Sequence, residues 1–384
     1  YEIPWKAYLD DNLQKKHYEG LKIGFINIPC GGYGDVIQCK NVYDFFLKWY
    51  PKANIKICST SIDKFRDLGI KDKIIALKHK NDDGECKLFS QLTMDYKIKF
   101  DLFLVIPIIN RSFDLNDFKK LFSYATSWNT YTMSEYNDID NGPYDFPVGI
   151  GKDYLGLFFN NFKYKKQKLI QNPYALIYIQ PSPEWGSHSN YCFLTFLEML
   201  CKKYSTQHKY FEIVIPSWIE EKIVYDNIFK HNCKKIIEKY YGSSILKIKE
   251  TDDLYKIFYK NDKSQLIIRG DILPQSRDIF VGLIKDSVKD ILLTGNESIV
   301  DTLSNFPDKT IWYQIAPWKQ DLAYNLFIET ENNNYKTFKT SCGVIKGRNF
   351  KNDVENLIKN NDFRIKGKKR FDALLVGFYD IRKN

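Results

Sequence analysis

The segment around Gly295 combines residue types that suit phosphate binding. A short apolar run, Ile291–Thr294, leads into Gly295-Asn-Glu-Ser298, and apolar residues at helical spacing follow. This order predicts a strand, a tight turn and the start of a helix. A glycine lets a ligand approach the backbone closely, and the N–H groups of a helix's first turn, with the positive end of its dipole, suit an anion. The alternative is a plain strand-to-helix connection capped by Asn296 or Ser298.

A second turn of the same build lies near the N-terminus. The apolar stretch Leu21–Ile28 is followed by Gly32-Tyr-Gly-Asp35 and then by a helical pattern. Ligands bind at the carboxyl ends of strands in open α/β sheets, and Asp35 follows such a strand. The turn is not the Gly-x-Gly-x-x-Gly dinucleotide fingerprint, because Ile37 stands where the third glycine is needed. The alternative is a glycine-rich turn in which Asp35 is only a helix N-terminal carboxylate.

The composition is that of a globular protein with enough apolar material for two cores. The chain has 384 residues, of which 44% are hydrophobic and 27% are charged, and single cores usually split beyond about 250–300 residues. No apolar run approaches the roughly 18 residues of a membrane span, and the first residues lack the apolar region of a signal peptide. We therefore expect a cytoplasmic protein without a membrane span.

The charge balance is basic, with a formal net charge of +10. One explanation is a composition biased towards Lys, Asn and Ile. The other is attraction to a phosphate-bearing ligand or an acidic partner. The densest basic runs, Lys163–Lys168 and Arg364–Arg370, are short, which disfavours specific nucleic-acid binding.

The cysteines and histidines lack the spacing of a metal site. None of the 8 cysteines belongs to a Cys-x-x-Cys pair, and the 5 histidines are scattered. This argues against a zinc site and a disulfide scaffold. We expect no metal, and free, buried thiols in a reducing compartment.

Strand and helix patterns alternate along the chain, which favours parallel sheets joined by crossover helices. We expect two Rossmann-like domains, over residues 1–165 and 166–345. Terminal helices over residues 346–384 are predicted to follow, the last one crossing back to the first domain. Within the second series, the pattern predicts helices over residues 218–229 and 252–258.

The two turns together resemble those of GT-B glycosyltransferases, and in particular of the bacterial protein-arginine rhamnosyltransferases. The later domain of that family has a Leu-Pro-Gln loop, a Gly-(acid)-(acid)-Ser turn and a strand ending in Trp-x-x-Tyr-Pro-Gln. The counterparts here are Leu273-Pro-Gln275, Gly295-Asn-Glu-Ser298 and Ile311-Trp-Tyr-Gln-Ile-Ala-Pro317. The family's N-terminal Asn-Phe-Gly-Asp turn is similar to Gly32-Tyr-Gly-Asp35.

A looser similarity to the heptosyltransferases rests on the strand Ile177–Gln180 and the loop with Trp185. These resemblances imply an α/β fold of the GT-B type, with two Rossmann-like domains facing across a cleft. They also imply a hexosyl- or deoxyhexosyltransferase whose donor is a nucleotide-diphosphate sugar bound mainly by the second domain. The acceptor, whether a glycan, a protein or a small molecule, is not indicated.

Roles follow for individual residues if the family's chemistry is carried over. Asp35 is the expected general base of an inverting transfer. Glu297 is expected to accept hydrogen bonds from sugar or ribose hydroxyls, and Arg269 to stabilise the leaving diphosphate. No Asp-x-Asp occurs in a suitable loop, so we expect a metal-independent reaction without a cofactor. The expected ligand-binding residues are Gly32, Tyr33, Gly34, Gln180, Trp185, His188, Arg269, Leu273, Gln275, Gly295, Asn296, Glu297, Ser298 and Gln314.

Several alternatives remain open. His188 either contacts phosphate or moves a proton, or it is merely solvated. Trp185 either stacks on a sugar or packs beneath its loop. The whole chain is either an enzyme of this class, a GT-B-like module that binds nucleotide or glycan without turnover, or a sugar-nucleotide epimerase.

Overall fold

The computed structural model describes residues 18–30, 32–72, 74–79, 88–95, 97–108, 113–138, 143–181, 188–251, 253–330 and 344–383. Contacts divide the chain into two compact units. Unit 1 comprises Tyr1–Phe158 and Ile358–Asn384, and unit 2 comprises Phe159–Leu357. Both are mixed α/β structures built on parallel sheets. None of the helices in the described ranges combines the length and the apolarity needed to span a bilayer.

The regular elements are numbered here in chain order. The strands are β1 (Lys22–Asn27), β2 (Asn54–Ser59), β3 (Ile75–Ala76), β4 (Lys78–His79), β5 (Leu92–Thr93), β6 (Leu102–Val105), β7 (Thr130–Thr132), β8 (Tyr174–Tyr178), β9 (Tyr210–Val214), β10 (Ser243–Lys247), β11 (Leu254–Tyr259), β12 (Gln265–Arg269), β13 (Asp290–Leu293), β14 (Thr310–Gln314) and β15 (Val344–Asn349). The α-helices are α1 (Gly34–Trp49), α2 (Ile62–Asp67), α3 (Leu115–Leu121), α4 (Ser189–Tyr204), α5 (Ser217–Tyr225), α6 (Asn227–Ile237), α7 (Arg277–Asp286), α8 (Asn296–Asn305), α9 (Gln320–Ile328), α10 (Val354–Asn360) and α11 (Phe363–Lys383). Two short 3-10 helices span Phe89–Gln91 and Pro317–Lys319.

Unit 1 is built on a parallel sheet of strand order β3-β2-β1-β6-β7. Strand β6 is a continuous apolar run, Leu-Phe-Leu-Val, and all four of its residues are buried. Such runs are typical of parallel strands that are covered on both faces. The chain builds outward from β1 to β3 and then continues on the other side of β1 with β6. The strand order therefore reverses between β1 and β6, which is where open α/β sheets bind ligands.

The C-terminal helix α11 belongs to unit 1 and packs its aromatic residues on α1. The rings of Phe46 and Phe371 lie 4.3 Å apart. Beside them the buried Tyr50 donates its hydroxyl proton to Asp372, which also pairs with Lys368 at 2.8 Å. Burial, reinforced by the neighbouring carboxylate of Asp372, raises the pKa of Tyr50 far above its ordinary value. Tyr50 is thus a permanent donor to a buried carboxylate.

Unit 2 contains a larger sheet of strand order β11-β10-β12-β9-β8-β13-β14-β15. Its interior strands are parallel, whereas the outermost strands β11 and β15 are antiparallel to their neighbours. A core of apolar side chains from α4, α5 and α6 covers the β8 to β11 half of the sheet. The strand order reverses between β8 and β13. The turn at Gly295 therefore follows one of the two strands at this reversal.

The prediction of a helix over residues 252–258 is wrong. The segment forms strand β11, which pairs with β10 across a bulge between Ser244 and Ile245. Leu254-Tyr-Lys-Ile-Phe-Tyr259 is rich in aromatic and β-branched residues, which fit a half-buried edge strand. The predicted helix over residues 218–229 is also two helices, α5 and α6. Asp226 interrupts it and caps α6 by accepting bonds from the N–H groups of Ile228 and Phe229.

The cysteines agree with the expected free thiols in five cases and differ in one. Cys30 is disulfide-bonded. The expectation of free thiols is therefore wrong for Cys30, since spacing does not reveal pairing between distant cysteines. The cysteines that are free and buried are Cys39, Cys58, Cys192, Cys201 and Cys233.

Replacing Tyr50 by Phe should destabilise unit 1. The variant leaves the 6%-exposed Asp372 without one donor, and a hydrogen bond to a charged group contributes about 1.5–3 kcal/mol. Urea unfolding followed by tryptophan fluorescence measures the loss. Tyr124→Phe is the matched control, because Tyr124 is 46% exposed and should change stability by less than about 0.5 kcal/mol. Equal effects of the two variants would contradict this account of α11.

Candidate functional site

The carboxyl ends of the unit 1 strands are joined by one buried side chain, Asn27. Its amide nitrogen donates to the carbonyl of Ile106, at the end of β6, at 2.9 Å. The same nitrogen donates to the carbonyl of Asp35 at 3.2 Å, and the amide oxygen accepts from Ser59 Oγ at 3.0 Å. Asn27 is 0% exposed. It therefore fixes the end of β1 to β6, to β2 and to the first turn of α1.

The glycine turn after β1 is held from α2. Gly32 has a φ of 48°, in the left-handed region that glycine adopts at little cost. Lys64 Nζ donates to the carbonyl of Gly32 at 2.7 Å, and Tyr33 donates its hydroxyl proton to Asp67 at 2.6 Å. Gly34 is the first residue of α1, and a Cβ added to it would meet no atom within 4 Å. The turn is thus fixed by its neighbours and open at Gly34.

Asp35 lies in the first turn of α1, half-buried. Its Oδ2 accepts the backbone N–H of Cys30 at 3.1 Å, and its carbonyl is held by Asn27 as described above. The carboxylate is therefore oriented by the loop that precedes the helix. The N-cap of α1, Tyr33, supplies no side-chain acceptor to the helix N-terminus.

In unit 2 the corresponding link across the strand ends is made by Gln314, the last residue of β14. Its amide accepts from the N–H of Gln180 and donates to the carbonyl of Gln180, both at 2.9 Å. It also donates to Ser189 Oγ at 3.1 Å, at the start of α4. The Gln314 carbonyl accepts from Thr294 Oγ1 at 2.8 Å. The ends of β8, β13 and β14 and the start of α4 are thereby tied together.

The Gly295 turn forms the N-terminus of α8. Gly295 is the N-cap with φ −65° and ψ 132°, and no side chain caps the helix. Asn296 is instead the first helical residue, and its Oδ1 is buried without a hydrogen-bond partner. Ser298 Oγ would lie 3.3 Å from a Cβ at Gly295. The capping by Asn296 or Ser298 that the sequence offered as an alternative is therefore not observed.

Glu297 is drawn into an ion-pair network with the start of α7. Arg277 Nη2 lies 2.7 Å from Glu297 Oε1 and 2.8 Å from Asp301 Oδ1. The Glu297 side chain is only 13% exposed. The guanidinium also stacks over Phe162, with its carbon 4.3 Å from the ring centroid, and Asn160 donates to Asp301 at 2.8 Å. Glu297 thus locks α8 to α7.

Arg269, the expected partner of a leaving diphosphate, is occupied by two carboxylates. Its Nε and Nη2 donate to Asp271 at 2.7 Å each, and its Nη1 donates to Glu212 at 2.8 Å. The hydrogen bonds to Asp271 raise the pKa of Arg269 above its ordinary value. Burial acts in the opposite direction, and the hydrogen bond to Glu212 adds to the rise. Arg269 is 9% exposed. The structure gives it a bracing role at the end of β12.

The remaining expected ligand-binding residues have mixed surroundings. Leu273 is 4% exposed and belongs to the core, and Gln275 donates back to the carbonyl of Ile272 at 2.6 Å. His188 is exposed at the N-terminus of α4, without capping it through its side chain. Trp185 lies outside the described residues. The group that the structure gathers at the ends of β8 and β13 is therefore Gln180, His188, Gly295, Asn296, Ser298 and Gln314.

The residues of these networks that were not identified from the sequence include Asn27, Lys64, Thr294 and Arg277. Each acts through a partner that is distant in sequence, so no local pattern distinguishes it. Asn27 alone has a partial local signal, because it stands at the end of an apolar strand, where a buried amide is unusual.

Within the described ranges, no group of three or more His, Cys, Asp and Glu side chains is placed to hold a metal ion.

Replacing Arg277 by Met should destabilise unit 2 strongly. It leaves Glu297 and the 4%-exposed side chain of Asp301 without their cation, and breaking a buried pair costs about 3–5 kcal/mol. Urea unfolding is the measurement. Arg66→Met is the matched control, because Arg66 and its partner Asp63 are 70% and 91% exposed and such pairs contribute less than about 1 kcal/mol. Similar stabilities of the two variants would show that the network is dispensable.

Comparison with known proteins adds no family assignment. No protein-family model matches the chain, and no curated protein sequence matches it.

Proposed function

We propose that this protein is a glycosyltransferase of the GT-B type that transfers a sugar from a nucleotide-diphosphate donor. The observation that carries the proposal is the pair of glycines Gly34 and Gly295. Each lies at the N-terminus of a helix that follows a strand at the reversal of its sheet. Open α/β sheets bind nucleotides at this place, where helix N–H groups and the helix dipole face the phosphates.

Neither glycine is required by the fold. Gly295 has a φ of −65°, which any residue adopts, and the atoms nearest to an added Cβ are Ser298 Oγ at 3.3 Å, a close contact from which the serine side chain must move slightly, and Ser298 Cβ and Tyr178 Cε1 at 3.8 Å. A Cβ at Gly34 would meet nothing within 4 Å, and glycine in a helix is destabilising relative to Ala by about 0.5–1 kcal/mol. When neither the backbone conformation nor the packing requires a glycine, its presence supports the proposal that a ligand approaches the backbone closely there.

In this proposal unit 2 binds the donor. The backbone N–H groups of the first turn of α8 hold the diphosphate, and Ser298 donates its hydroxyl proton to it. Asn296 Oδ1, which is buried without a hydrogen-bond partner among the described residues, accepts a hydrogen bond from a hydroxyl group or a ring N–H of the nucleotide sugar. Glu297 is assigned a positioning role rather than a direct one, since Arg277 already occupies it.

Asp35 is assigned as the general base of an inverting transfer. A base must be held in one orientation, and the N–H of Cys30 does this through one carboxylate oxygen. The proton removed from the acceptor goes to the carboxylate, and the leaving diphosphate takes the electron pair of the broken glycosidic bond.

A nucleotide-binding module without turnover is the second candidate. The observation that favours it is that the two arginines near the strand ends, Arg269 and Arg277, already form ion pairs. Each is paired with two carboxylates, so neither is a ready counter-charge for a leaving diphosphate. Release of free sugar or of nucleoside diphosphate from a donor separates an enzyme from a binding module.

Gly295→Ala and Ser298→Ala should both weaken nucleoside-diphosphate binding. Loss of the Ser298 hydroxyl removes a bond to a charged group, which corresponds to about one to two decades of affinity. The added methyl at Gly295 obstructs the phosphate without disturbing the backbone. Calorimetry with a panel of nucleoside diphosphates and the matching nucleosides is the measurement. Affinity for the nucleosides should change far less.

The control for the glycine variant is Gly377→Ala. Gly377 lies within α11, and its Cβ would meet nothing within 4 Å, so this variant should fold and bind as the wild type does. Unchanged diphosphate affinity in both Gly295→Ala and Ser298→Ala would reject the proposed site.

Asp35→Asn should lower the transfer rate about 10²–10⁴-fold, the usual effect of losing a general base. The asparagine oxygen can still accept the N–H of Cys30, so the turn should keep its geometry and donor affinity should stay close to the wild-type value. Steady-state kinetics with the donor found by calorimetry give the rate. Near-normal turnover of the variant would exclude Asp35 as the base.

A further inference from the structure

The segment of residues 163–169, here called the lysine strap, is an exposed basic surface of unit 2. It contains Lys163, Lys165, Lys166 and Lys168, all of which are exposed. No acidic residue occurs in the sequence between Asp153 and Glu184. The strap has no helix or strand of its own. Its shape must therefore come from contacts with the elements beneath it.

The strap is fixed to helix α7 at Gly282. A Cβ at that glycine would lie 2.0 Å from the carbonyl oxygen of Lys165, so the strap rests directly on the helix backbone. The N–H of Lys165 donates to the carbonyl of Asp278 at 3.1 Å, and Lys165 Nζ lies 2.8 Å from Asp278 Oδ2. The charge of Lys165 is thus neutralised by the helix that carries the strap.

Gln167 organises the second half of the strap from within. It is 8% exposed, its Oε1 accepts the N–H groups of Leu169 and Ile170, and its Nε2 donates to the carbonyl of Ile170 at 2.9 Å. With Gln167 turned inward, its neighbours Lys166 and Lys168 are exposed on either side. The turn is therefore preformed and holds its cations outward.

Two apolar side chains are exposed among these lysines. Leu169 is 43% exposed, and Tyr164 is 38% exposed, with its ring edge-on to Phe306 at 5.3 Å. Lys285 Nζ lies 5.6 Å from the same Phe306 ring and adds a further cation beside Tyr164, although the exposed Asp286 follows it on the helix. The surface thus combines fixed positive charge with an aliphatic and an aromatic group.

We propose that the lysine strap docks the protein onto anionic lipid bilayers. Lysines near a negatively charged leaflet are attracted by its surface potential, and exposed Leu and Tyr side chains enter the interface beside them. Nucleic acid fits this surface less well. The strap contains no arginine for bidentate contacts, Tyr164 is packed against Phe306, and Leu169 has nothing to gain from a phosphate backbone.

The test is co-sedimentation of the full chain with vesicles of phosphatidylcholine alone or with about a third phosphatidylserine. We expect binding to the anionic vesicles only, and loss of it at high salt. Each lysine at an anionic surface contributes roughly fivefold to partitioning, so Lys163→Gln, Lys166→Gln and Lys168→Gln combined should weaken it roughly a hundredfold. The matched control combines Lys234→Gln, Lys235→Gln and Lys239→Gln, three exposed lysines of α6 and the turn after it, and should bind within a few-fold of the wild type.

A second variant tests the apolar part of the surface. Leu169→Asn should weaken vesicle binding severalfold at any salt concentration, whereas Leu254→Asn, at an exposed leucine of β11, should leave it unchanged. Circular dichroism and the melting temperature establish that each variant is folded.

Three outcomes overturn the proposal. The first is no binding to the anionic vesicles. The second is an equal loss in the strap and α6 lysine variants, which would mean attraction to net charge alone. The third is binding of a single-stranded RNA that depends on the strap lysines and is not displaced by anionic vesicles, which would identify the strap as a nucleic-acid surface. The strap contacts Phe306, which follows the last residue of α8, whereas Gly295 precedes its first residue, so nucleoside-diphosphate affinity of the strap variant should be unchanged.

Discussion

Two buried primary amides, Asn27 in unit 1 and Gln314 in unit 2, hold the strand ends on which the candidate site depends. Where the strand order of a parallel sheet reverses, neighbouring strands lead to connections that run in opposite directions. The backbone N–H and C=O groups at the ends of these strands then lack the hydrogen-bond partners that a neighbouring strand would provide. A buried unpaired group of this kind costs about 1–3 kcal/mol. Asn27 supplies bonds to Ile106 and Asp35, and Gln314 supplies them to Gln180. An amide suits this place because it donates and accepts without the desolvation cost of a charge.

The same arrangement explains why the glycine turns are available to a ligand. Since the amides and Thr294 satisfy the strand ends, Gly34 and Gly295 carry no hydrogen-bonding or packing duty that needs a glycine. The helices that follow are fixed by other side chains, α8 through Arg277 and α1 through its aromatic contacts with α11. In the proposed function, structural and ligand-binding tasks are thus divided between different residues at the strand ends of each sheet. Preorganised backbone donors of this kind need little rearrangement when they bind.

The mixed α/β class and most elements of this chain follow from local pattern, because continuous apolar runs and helical spacing are local properties. Strand β1 lies within the apolar stretch Leu21–Ile28, and helix α1 begins in the glycine turn, where the sequence places the start of a helical pattern. Strand β11 was not, because its edge position and its pairing with β10 decide its conformation. The roles of Arg269 and Glu297 were not predictable either. Their partners Glu212, Asp271 and Arg277 include residues far away in sequence. The local sequence around a charged residue does not show whether that residue is paired with another charge or exposed to solvent.

The placement of charge separates the two kinds of anion recognition proposed for this protein. At the strand ends of unit 2 the arginines are paired with carboxylates, so an anion there would depend on backbone N–H groups and the helix dipole, which act only at short range. On the lysine strap the cations Lys163, Lys166 and Lys168 have no carboxylate partner within the described residues, and they act over about a Debye length. A short-range site discriminates by geometry and a long-range one by charge density. If both proposals hold, the net charge of +10 contributes to attraction at the surface and little to selectivity at the turn, where the absence of a side chain at Gly295 decides what can approach.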